Sequence, residues 1–205
     1  MRLELTEVLA CPGCGPDHGL IAFVDQMDKR RIVTGRLDCP NCEQRHPIRD
    51  GVVYLHGADP ADVHDSDLTP GTQDVAELAA ALLGAPTGPE LLLVGPGLPS
   101  VANSLADLRP EASVLAYADP SAEPHERVFW IVPIPGAPLP LRSARLHGAV
   151  VMGTASIDPA EAGRILVPGC RLVILTPEPE APVFSQAGPV RELAADSRAW
   201  VGVRS

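Results

Sequence analysis

Residues 91–100, LLLVGPGLPS, decide how we interpret this chain. Four apolar residues run directly into a turn that contains Gly95 and Gly97, and a helix-compatible segment follows. A buried parallel strand that ends in a glycine-rich turn is how open α/β sheets present backbone amides to a small ligand. The stretch therefore predicts a strand, a turn and a helix at the ligand-binding edge of such a sheet.

Apolar runs and helix-like segments alternate around this stretch. A segment rich in Ala and Leu precedes this stretch, and its composition predicts a helix that ends near Gly84. The other runs predict strands, namely Ser113–Ala118, Val128–Val132, Gly148–Met152 and Arg171–Leu175. Strands separated by helices predict a doubly wound, mostly parallel Rossmann-like sheet of the α/β class.

The end of the chain predicts a shortened sheet. Four prolines follow Leu175, and residues 190–196 are helix-like. Only the short apolar run 200–203 then remains to add a strand. We therefore expect room for one short strand at most after residue 175.

An acidic residue supplements the glycine turn. Asp119 lies at the end of the second predicted strand, about twenty residues after the glycines, where such sheets hold the ribose of an adenosyl ligand or a dinucleotide. The sequence thus predicts Gly95, Gly97 and Asp119 as cofactor-binding residues. Two glycines after a strand are common, so at this point a dinucleotide-dependent oxidoreductase remains open.

Two C-x-x-C pairs define a different kind of site near the start of the chain. Cys11-Pro-Gly-Cys14 and Cys39-Pro-Asn-Cys42 each turn two thiolates toward one point. Four thiolates complete the tetrahedral shell that zinc prefers, and the matched spacing favours structural zinc over a redox pair. A closed shell has no position for water, which excludes catalytic zinc. Zinc binding worth about 10–16 kcal/mol would then supply much of the folding free energy of this small module.

The chain divides by composition into three parts. A short amphipathic helix at Leu3–Leu9 and strands at Leu20–Val24 and Ile32–Leu37 fit around the cysteines. From His56 to Asp74 the sequence is rich in Asp, Pro, Gly, Ser and Thr, which is typical of a solvated acidic linker. We predict a zinc-ribbon domain over 1–55, a linker over 56–74 and an α/β domain over 75–205.

The strings LTEVLACPGC, LDCPNC and HPIRDGVVYL, at residues 5–14, 37–42 and 46–55, resemble the tRNA-methyltransferase-activator zinc-ribbon family (tRNA methyltransferase subunit 112). The resemblance implies a module that binds and stabilises methyltransferase domains through an exposed apolar strand. His46 replaces an aromatic residue of the family pattern, and with four cysteines available we expect it to be packed rather than a metal ligand. The positions that match the partner-binding strand are Ile48, Val52, Val53 and Leu55.

Two later strings resemble class I S-adenosylmethionine-dependent methyltransferases. They are Leu139-Pro-Leu141 with LHGAVV at 146–151, and AGRILVPGCRLVI at 162–174. The likeness spans most of residues 88–176. Because of it, we rank the dinucleotide-dependent oxidoreductase last among the interpretations. The likeness implies an S-adenosylmethionine site at the glycine turn and at Asp119.

The departures from the methyltransferase pattern predict a degenerate cofactor site. Leu93 stands where the family has an acid, so a charge-assisted bond worth about 1.5–3 kcal/mol to the methionine ammonium is lost. Other family positions are changed as well, at Pro99, Ala137 and His147. We assign no catalytic residue, and we interpret Cys170 as a core thiol.

The charge pattern restricts the partners. The formal net charge is −10, which disfavours nonspecific binding to nucleic acid. The exception is a basic cluster within 29–49, where a solvated ribbon surface is the alternative to a nucleic-acid face; its members are Lys29, Arg30, Arg31, Arg36, Arg45 and Arg49. No apolar run is long enough to span a membrane, and no signal-type region is present, so we expect a cytoplasmic protein.

Together these patterns favour a non-catalytic, methyltransferase-like scaffold or activator subunit with structural zinc. It would act by binding a protein partner, such as a methyltransferase or another complex subunit. The alternative is an active S-adenosylmethionine-dependent methyltransferase that acts on RNA, a protein or a small molecule.

Overall fold

The computed structural model describes residues 1–55, 72–86, 88–95, 98–117, 125–132, 138–153, 158–175 and 189–205. The chain forms two compact units that do not follow chain order. The first unit comprises Met1–Asp65, Tyr117–Glu123 and Phe129–Ser143, and the second comprises Ser66–Ala116, Pro124–Val128 and Ala144–Ser205. Most of the predicted linker, residues 56–71, lies outside the described residues, and the three predicted domain boundaries stay predictions.

The elements are as follows in chain order. A 3₁₀ helix at Leu3–Glu7 replaces the predicted amphipathic helix. The α-helices are α1 (Thr72–Leu83), α2 (Pro99–Leu108) and α3 (Pro159–Ile165). The strands are β1 (Ala10–Cys11), β2 (Gly15–Gly19), β3 (Ile21–Asp28), β4 (Arg31–Asp38), β5 (Arg45–Arg49), β6 (Val52–Tyr54), β7 (Glu90–Val94), β8 (Ala112–Tyr117), β9 (Val128–Val132), β10 (Leu146–Met152), β11 (Leu166–Leu175), β12 (Val190–Ala195) and β13 (Ala199–Arg204).

The first unit is built on a sheet with strand order β9-β6-β5-β4-β3. Strands β3 to β6 form an antiparallel meander, with Phe23 opposite Arg36 and Ile48 opposite Val53. One face of the meander is the core of this unit, since Leu37, Ile48 and Val53 are each no more than 2% exposed. The N-terminal chain is thus a zinc-ribbon-like region, as predicted.

A strand from the middle of the chain completes this sheet. Strand β9 reads VFWIV, and its five residues are all buried. Such a continuous run of β-branched and aromatic residues is typical of a strand covered on both faces. It lies parallel to β6, with Val53 opposite Ile131 and Tyr54 opposite Val132.

The second unit contains a mixed sheet with strand order β12-β13-β11-β10-β7-β8. Strands β8, β7, β10 and β11 are mutually parallel, whereas β13 is antiparallel to β11 and to β12. The chain proceeds from β7 to β8 through α2 and from β10 to β11 through α3, so the strand order reverses between β7 and β10. This arrangement confirms the predicted α/β fold with several parallel strands.

The helix ends of the second unit follow local rules. Helix α3 begins after Asp158, whose carboxylate accepts a hydrogen bond of 2.6 Å from the Ala160 amide, and Pro159 occupies its first position. Helix α1 ends at Gly84 with φ +86°, the left-handed conformation that favours glycine. Two arginines donate to the carbonyls at this end: Arg109 to Ala80 and Gly84, and Arg171 to Leu82.

Two predictions about the end of the chain are wrong. Residues 190–195 form strand β12 instead of a helix, and β12 and β13 make an antiparallel hairpin where we expected at most one short strand. The segment has helix-forming residues, but pairing with β13 outweighs their intrinsic preference. Among the described residues, no helix is both long and apolar enough to cross a membrane.

Candidate functional site

The four knuckle cysteines come together in the first unit. Cys11 ends β1, Cys39 directly follows β4, and the Sγ atoms of all four lie within 4.8 Å of one another. The Sγ atoms of Cys11 and Cys42 are 3.6 Å apart, and those of Cys14 and Cys39 are 3.8 Å apart. With Zn–S bonds of about 2.3 Å, the edge of a tetrahedral four-sulfur site is about 3.8 Å. The four side chains therefore fit a structural metal ion.

The backbone around the second knuckle orients its thiols. The Glu43 amide donates to the carbonyl of Cys39 at 3.0 Å, and the Cys39 amide donates to the carbonyl of Gln44 at 2.9 Å. The side-chain amide of Asn41 donates to Cys14 Sγ at 3.2 Å. Donors around a sulfur stabilise its thiolate form, which is the form that binds a metal.

The thiols differ in their acidity without a metal. Burial raises the pKa of Cys11 to about 12. Burial has the same tendency at Cys39, but the backbone amides of Cys42 and Asn41 overcome it and lower the pKa of Cys39 to about 7. A bound cation would replace the remaining thiol protons, so the affinity for metal depends on pH. His46 is buried and is not one of the four grouped ligands, which agrees with a packed histidine.

The predicted cofactor turn lies at the reversal point of the second sheet. Open α/β sheets bind ligands there, at the carboxyl ends of the strands that flank the reversal. Gly95 follows β7 and is buried, and its amide donates to the carbonyl of Val150 in β10 at 2.8 Å. A Cβ added to Gly95 would lie 2.8 Å from Cγ1 of Val151. The amide therefore belongs to the β-ladder, and the glycine is required for close packing of two strands.

Leu93, a described neighbour of this turn, adds no polar group to the edge. Leu93, at the position of the family's acid, is 1% exposed and lies opposite Ala149 on one side and Leu115 on the other. Gly97, Asp119 and Ala137 lie outside the described residues, so the assignment of Gly97 and Asp119 to cofactor binding stays a prediction. The side chain of Pro99 is likewise outside the described part.

His147 and Cys170 are potentially reactive side chains of the second unit, and the surroundings of each fit a structural role. Nδ1 of His147 accepts a hydrogen bond of 3.1 Å from the Leu91 amide, so this imidazole supplements the β7–β10 ladder. Cys170 is half-buried, and burial together with the charge of Glu90 raises the pKa of its thiol. A raised pKa lowers the thiolate fraction, which agrees with a core thiol rather than a nucleophile.

Residues 2–51 match the family model of the Trm112p-like protein. This Trm112p-like module covers about a quarter of the chain and contains both cysteine knuckles. The resemblance that the CPGC and CPNC strings predicted is therefore confirmed for the N-terminal part. No match to a curated protein was found.

Several solved methyltransferase structures are similar to the chain in outline. The antibiotic-resistance methyltransferase Kmr is 15% identical with a TM-score of 0.45, over 67% of this chain and 95% of its own. A predicted O-methyltransferase, Atu636 from Agrobacterium tumefaciens, is 13% identical with a TM-score of 0.45, over 62% and 80%. A putative methyltransferase from Bacillus halodurans C-125 is 19% identical with a TM-score of 0.41, over 53% of each chain.

Of the four positions that match the family's partner-binding strand, three are buried in this chain and Val52 is half-buried. Ile48, Val53 and Leu55 are each no more than 2% exposed, and the Leu55 amide donates to the carbonyl of Val132 at 3.1 Å. The resemblance implied an exposed strand here, and that expectation is wrong because β9 occupies the free edge of β6. The apolar run of β9 was visible in the sequence, but nothing local identified β6 as its neighbour.

Proposed function

We propose that this chain is a non-catalytic, methyltransferase-like scaffold that acts by binding a protein partner, with a structural zinc ion held by its four knuckle cysteines. The match of residues 2–51 to the Trm112p-like family supports a methyltransferase-related role. The spacing of the four Sγ atoms, all within 4.8 Å, supports the metal. When bound, zinc would fix the two knuckles to each other and supply folding free energy, without a position for substrate.

The observation that carries the non-catalytic assignment is the state of Gly95. Its amide is bonded to Val150, and its Cα lies so close to Val151 that a side chain does not fit. A cofactor loop needs amides that point at the ligand, whereas this amide belongs to the sheet. The buried apolar Leu93 next to it supports the same conclusion, because no carboxylate there can pair with the methionine ammonium.

The pairing of β6 with β9 suggests what the Trm112p-like module does. The strand by which the resembling family holds a separate methyltransferase is here hydrogen-bonded to a strand of the same chain. We infer that the module stabilises the chain's own methyltransferase-like part. A further protein partner would then have to bind a surface other than the edge of β6.

Calorimetric titration of the zinc-loaded full chain with S-adenosylmethionine tests this function. We expect no binding heat up to millimolar cofactor, because the first-strand turn has neither the acid nor a free amide at Gly95. Micromolar binding would refute the scaffold assignment. It would establish the alternative, an active methyltransferase, and Asp119→Ala would then show whether the predicted ribose contact holds the cofactor.

A tagged full chain provides the second test. If the chain is a scaffold, a defined protein should co-purify with it in fixed stoichiometry and survive size-exclusion chromatography. A chain that binds no S-adenosylmethionine and also retains no protein at any stage would contradict the proposed role.

A further inference from the structure

We propose that the outer face of the β3–β6 meander binds single-stranded nucleic acid. This outer face is the side opposite the buried Leu37, Ile48 and Val53. It comprises Ile21, Phe23, Arg36, Asp38, Arg45, Pro47, Arg49 and Tyr54. Neither the family match nor the proposed scaffold function includes a nucleic-acid site, so the inference stands independently of both.

A row of side chains crosses this face at right angles to the strands. Phe23 of β3 lies opposite Arg36 of β4, and Arg36 lies opposite Pro47 of β5. The register of β5 with β6 pairs Ile48 with Val53, which places Tyr54 next to Pro47. Residues directly opposite on neighbouring strands share a face, so two aromatic rings stand at the ends of one row. With strands about 4.8 Å apart, the row is about 14 Å long.

The ring of Phe23 is exposed, Tyr54 is half-buried, and an arginine lies against each ring. Phe23 is 42% exposed, and the guanidinium carbon of Arg36 lies 4.4 Å from its ring centroid. The guanidinium carbon of Arg49 lies 5.8 Å from the ring centroid of Tyr54. Bases stack on exposed aromatic rings and on guanidinium planes, with little dependence on base identity.

The charge of the outer face is opposite to that of the whole chain. Its three arginines are Arg36, Arg45 and Arg49, and its carboxylate is Asp38, whereas the chain carries a net charge of −10. Asp38 is shared by Arg36 at 3.1 Å and Arg45 at 3.9 Å, and the side chain of Arg45 is 74% exposed. The face thus keeps an excess of positive charge next to the rings, which complements a phosphodiester chain.

The rest of the basic cluster lies elsewhere. Lys29 and Arg30 form the turn between β3 and β4, where Arg30 pairs with Glu4. The sequence grouped these cations with the arginines of the sheet, but the structure separates them. The binding face is therefore defined by three arginines and two rings rather than by the whole run from 29 to 49.

The combination of rings and cations favours a nucleic acid with unpaired bases over other occupants. A duplex buries its bases and cannot use the rings, whereas RNA loops and bulges expose bases that stack on aromatic side chains. An acidic peptide would use the arginines without the rings. A peptide strand added to the edge of β3 is disfavoured, because irregular pairing around Gln26 distorts that edge.

Fluorescence anisotropy with a labelled eight-nucleotide RNA of mixed sequence, on the full zinc-loaded chain, tests the proposal. We expect saturable binding with a log–log salt slope of about −2, since each of three neutralised phosphates contributes about −0.7. Phe23→Ala should weaken binding about 5- to 100-fold, the range for one stacked base. Phe23→Leu, which keeps an apolar side chain, should weaken it similarly, and Arg45→Glu should abolish it.

Matched variants separate this face from general effects. Val24→Ala removes an exposed apolar side chain of the same strand at the residue after Phe23, which points to the other side of the sheet, and it should leave the affinity within twofold. Arg191→Ala removes one cation from the exposed strand β12 and should also have no effect.

Several results would overturn the proposal. These are no binding at 100 µM protein, equal affinity for Phe23→Leu and wild type, and tighter binding of duplex RNA or of an acidic peptide.

Discussion

Replacement of Gly95 by alanine tests whether this glycine serves the sheet or a ligand. An added Cβ would lie 2.8 Å from Cγ1 and 3.3 Å from Cβ of Val151, which is 1% exposed. Valine is restricted at χ1, so it cannot rotate away without strain. We therefore expect Gly95→Ala to lower the free energy of unfolding of the second unit by about 1–3 kcal/mol, the usual cost of overpacking.

If Gly95 served only to make room for a ligand, Gly95→Ala should raise the free energy of unfolding instead of lowering it. The backbone of Gly95 is not in the left-handed region that favours glycine, so alanine suits its conformation. At such a position Gly→Ala stabilises a protein by about 0.4–1 kcal/mol, because it restricts the unfolded chain. The sign of the change in unfolding free energy therefore distinguishes the two roles.

Urea unfolding of the full chain supplies the measurement. Trp200 is buried in β13 of the second unit and Trp130 in β9 of the first, so a Trp130→Phe background lets fluorescence report the second unit, and far-UV circular dichroism provides a second probe. Val151→Ala should cost about 2 kcal/mol alone, and the double variant should cost less than the sum, because the deleted methyl groups make room for the new one. Gly19→Ala, in the first unit, is a control for the substitution itself: its Cβ would lie 3.8 Å from the nearest atom, in Arg142, and the unfolding free energy of the second unit should not change. A Gly95→Ala protein as stable as wild type would refute the packing role.

Two further predictions concern the buried ion pair and the metal centre. Arg109→Met should lower the unfolding free energy by about 3–5 kcal/mol, because the pair of Arg109 and Glu90 is 6% and 10% exposed and the carboxylate would lose its partner. Arg109→Met with Glu90→Leu should recover most of this loss; a single variant within 1 kcal/mol of wild type in urea unfolding would contradict the buried pair. In the zinc-loaded protein only Cys170 of the five cysteines should react with a thiol reagent, slowly at neutral pH and faster as the pH rises, because burial and Glu90 raise its pKa. A chelator should expose the other four and lower the melting temperature, and four knuckle thiols that react equally fast before chelation would argue against the metal.

The local patterns predicted most of the strands of the second unit, and β3, β4 and β9 of the first. The run 128–132 is β9 with identical bounds, and the run at 91–94 is β7 apart from the added Glu90. Both are short apolar segments bounded by residues that do not continue a strand, so the local signal is strong. The C-x-x-C pairs were equally informative, because their spacing alone requires two turns that converge.

Long-range pairing could not be predicted from these patterns. Residues 190–195 have helix-forming side chains, yet they form a strand because β13 supplies hydrogen-bond partners from the other arm of a hairpin. The pairing of β6 with β9 joins two segments that share no sequence signal. The packing of Gly95 against Val151 could not be predicted either, since a glycine after a strand looks the same whether it makes room for a ligand or for a neighbouring valine, and its assignment to cofactor binding stays a prediction.

The β6–β9 pair also determines when the first unit can finish folding. Tyr54 pairs with Val132, a separation of 78 residues along the chain. During synthesis the knuckles and the meander emerge first, and the edge of β6 must wait, unpaired, until β9 has been made. Contacts of such long sequence separation slow folding, and an unpaired strand edge promotes association with other chains. Early metal binding would hold the meander in its final geometry during this interval, so the supply of zinc during translation should determine how much of the protein reaches its native state.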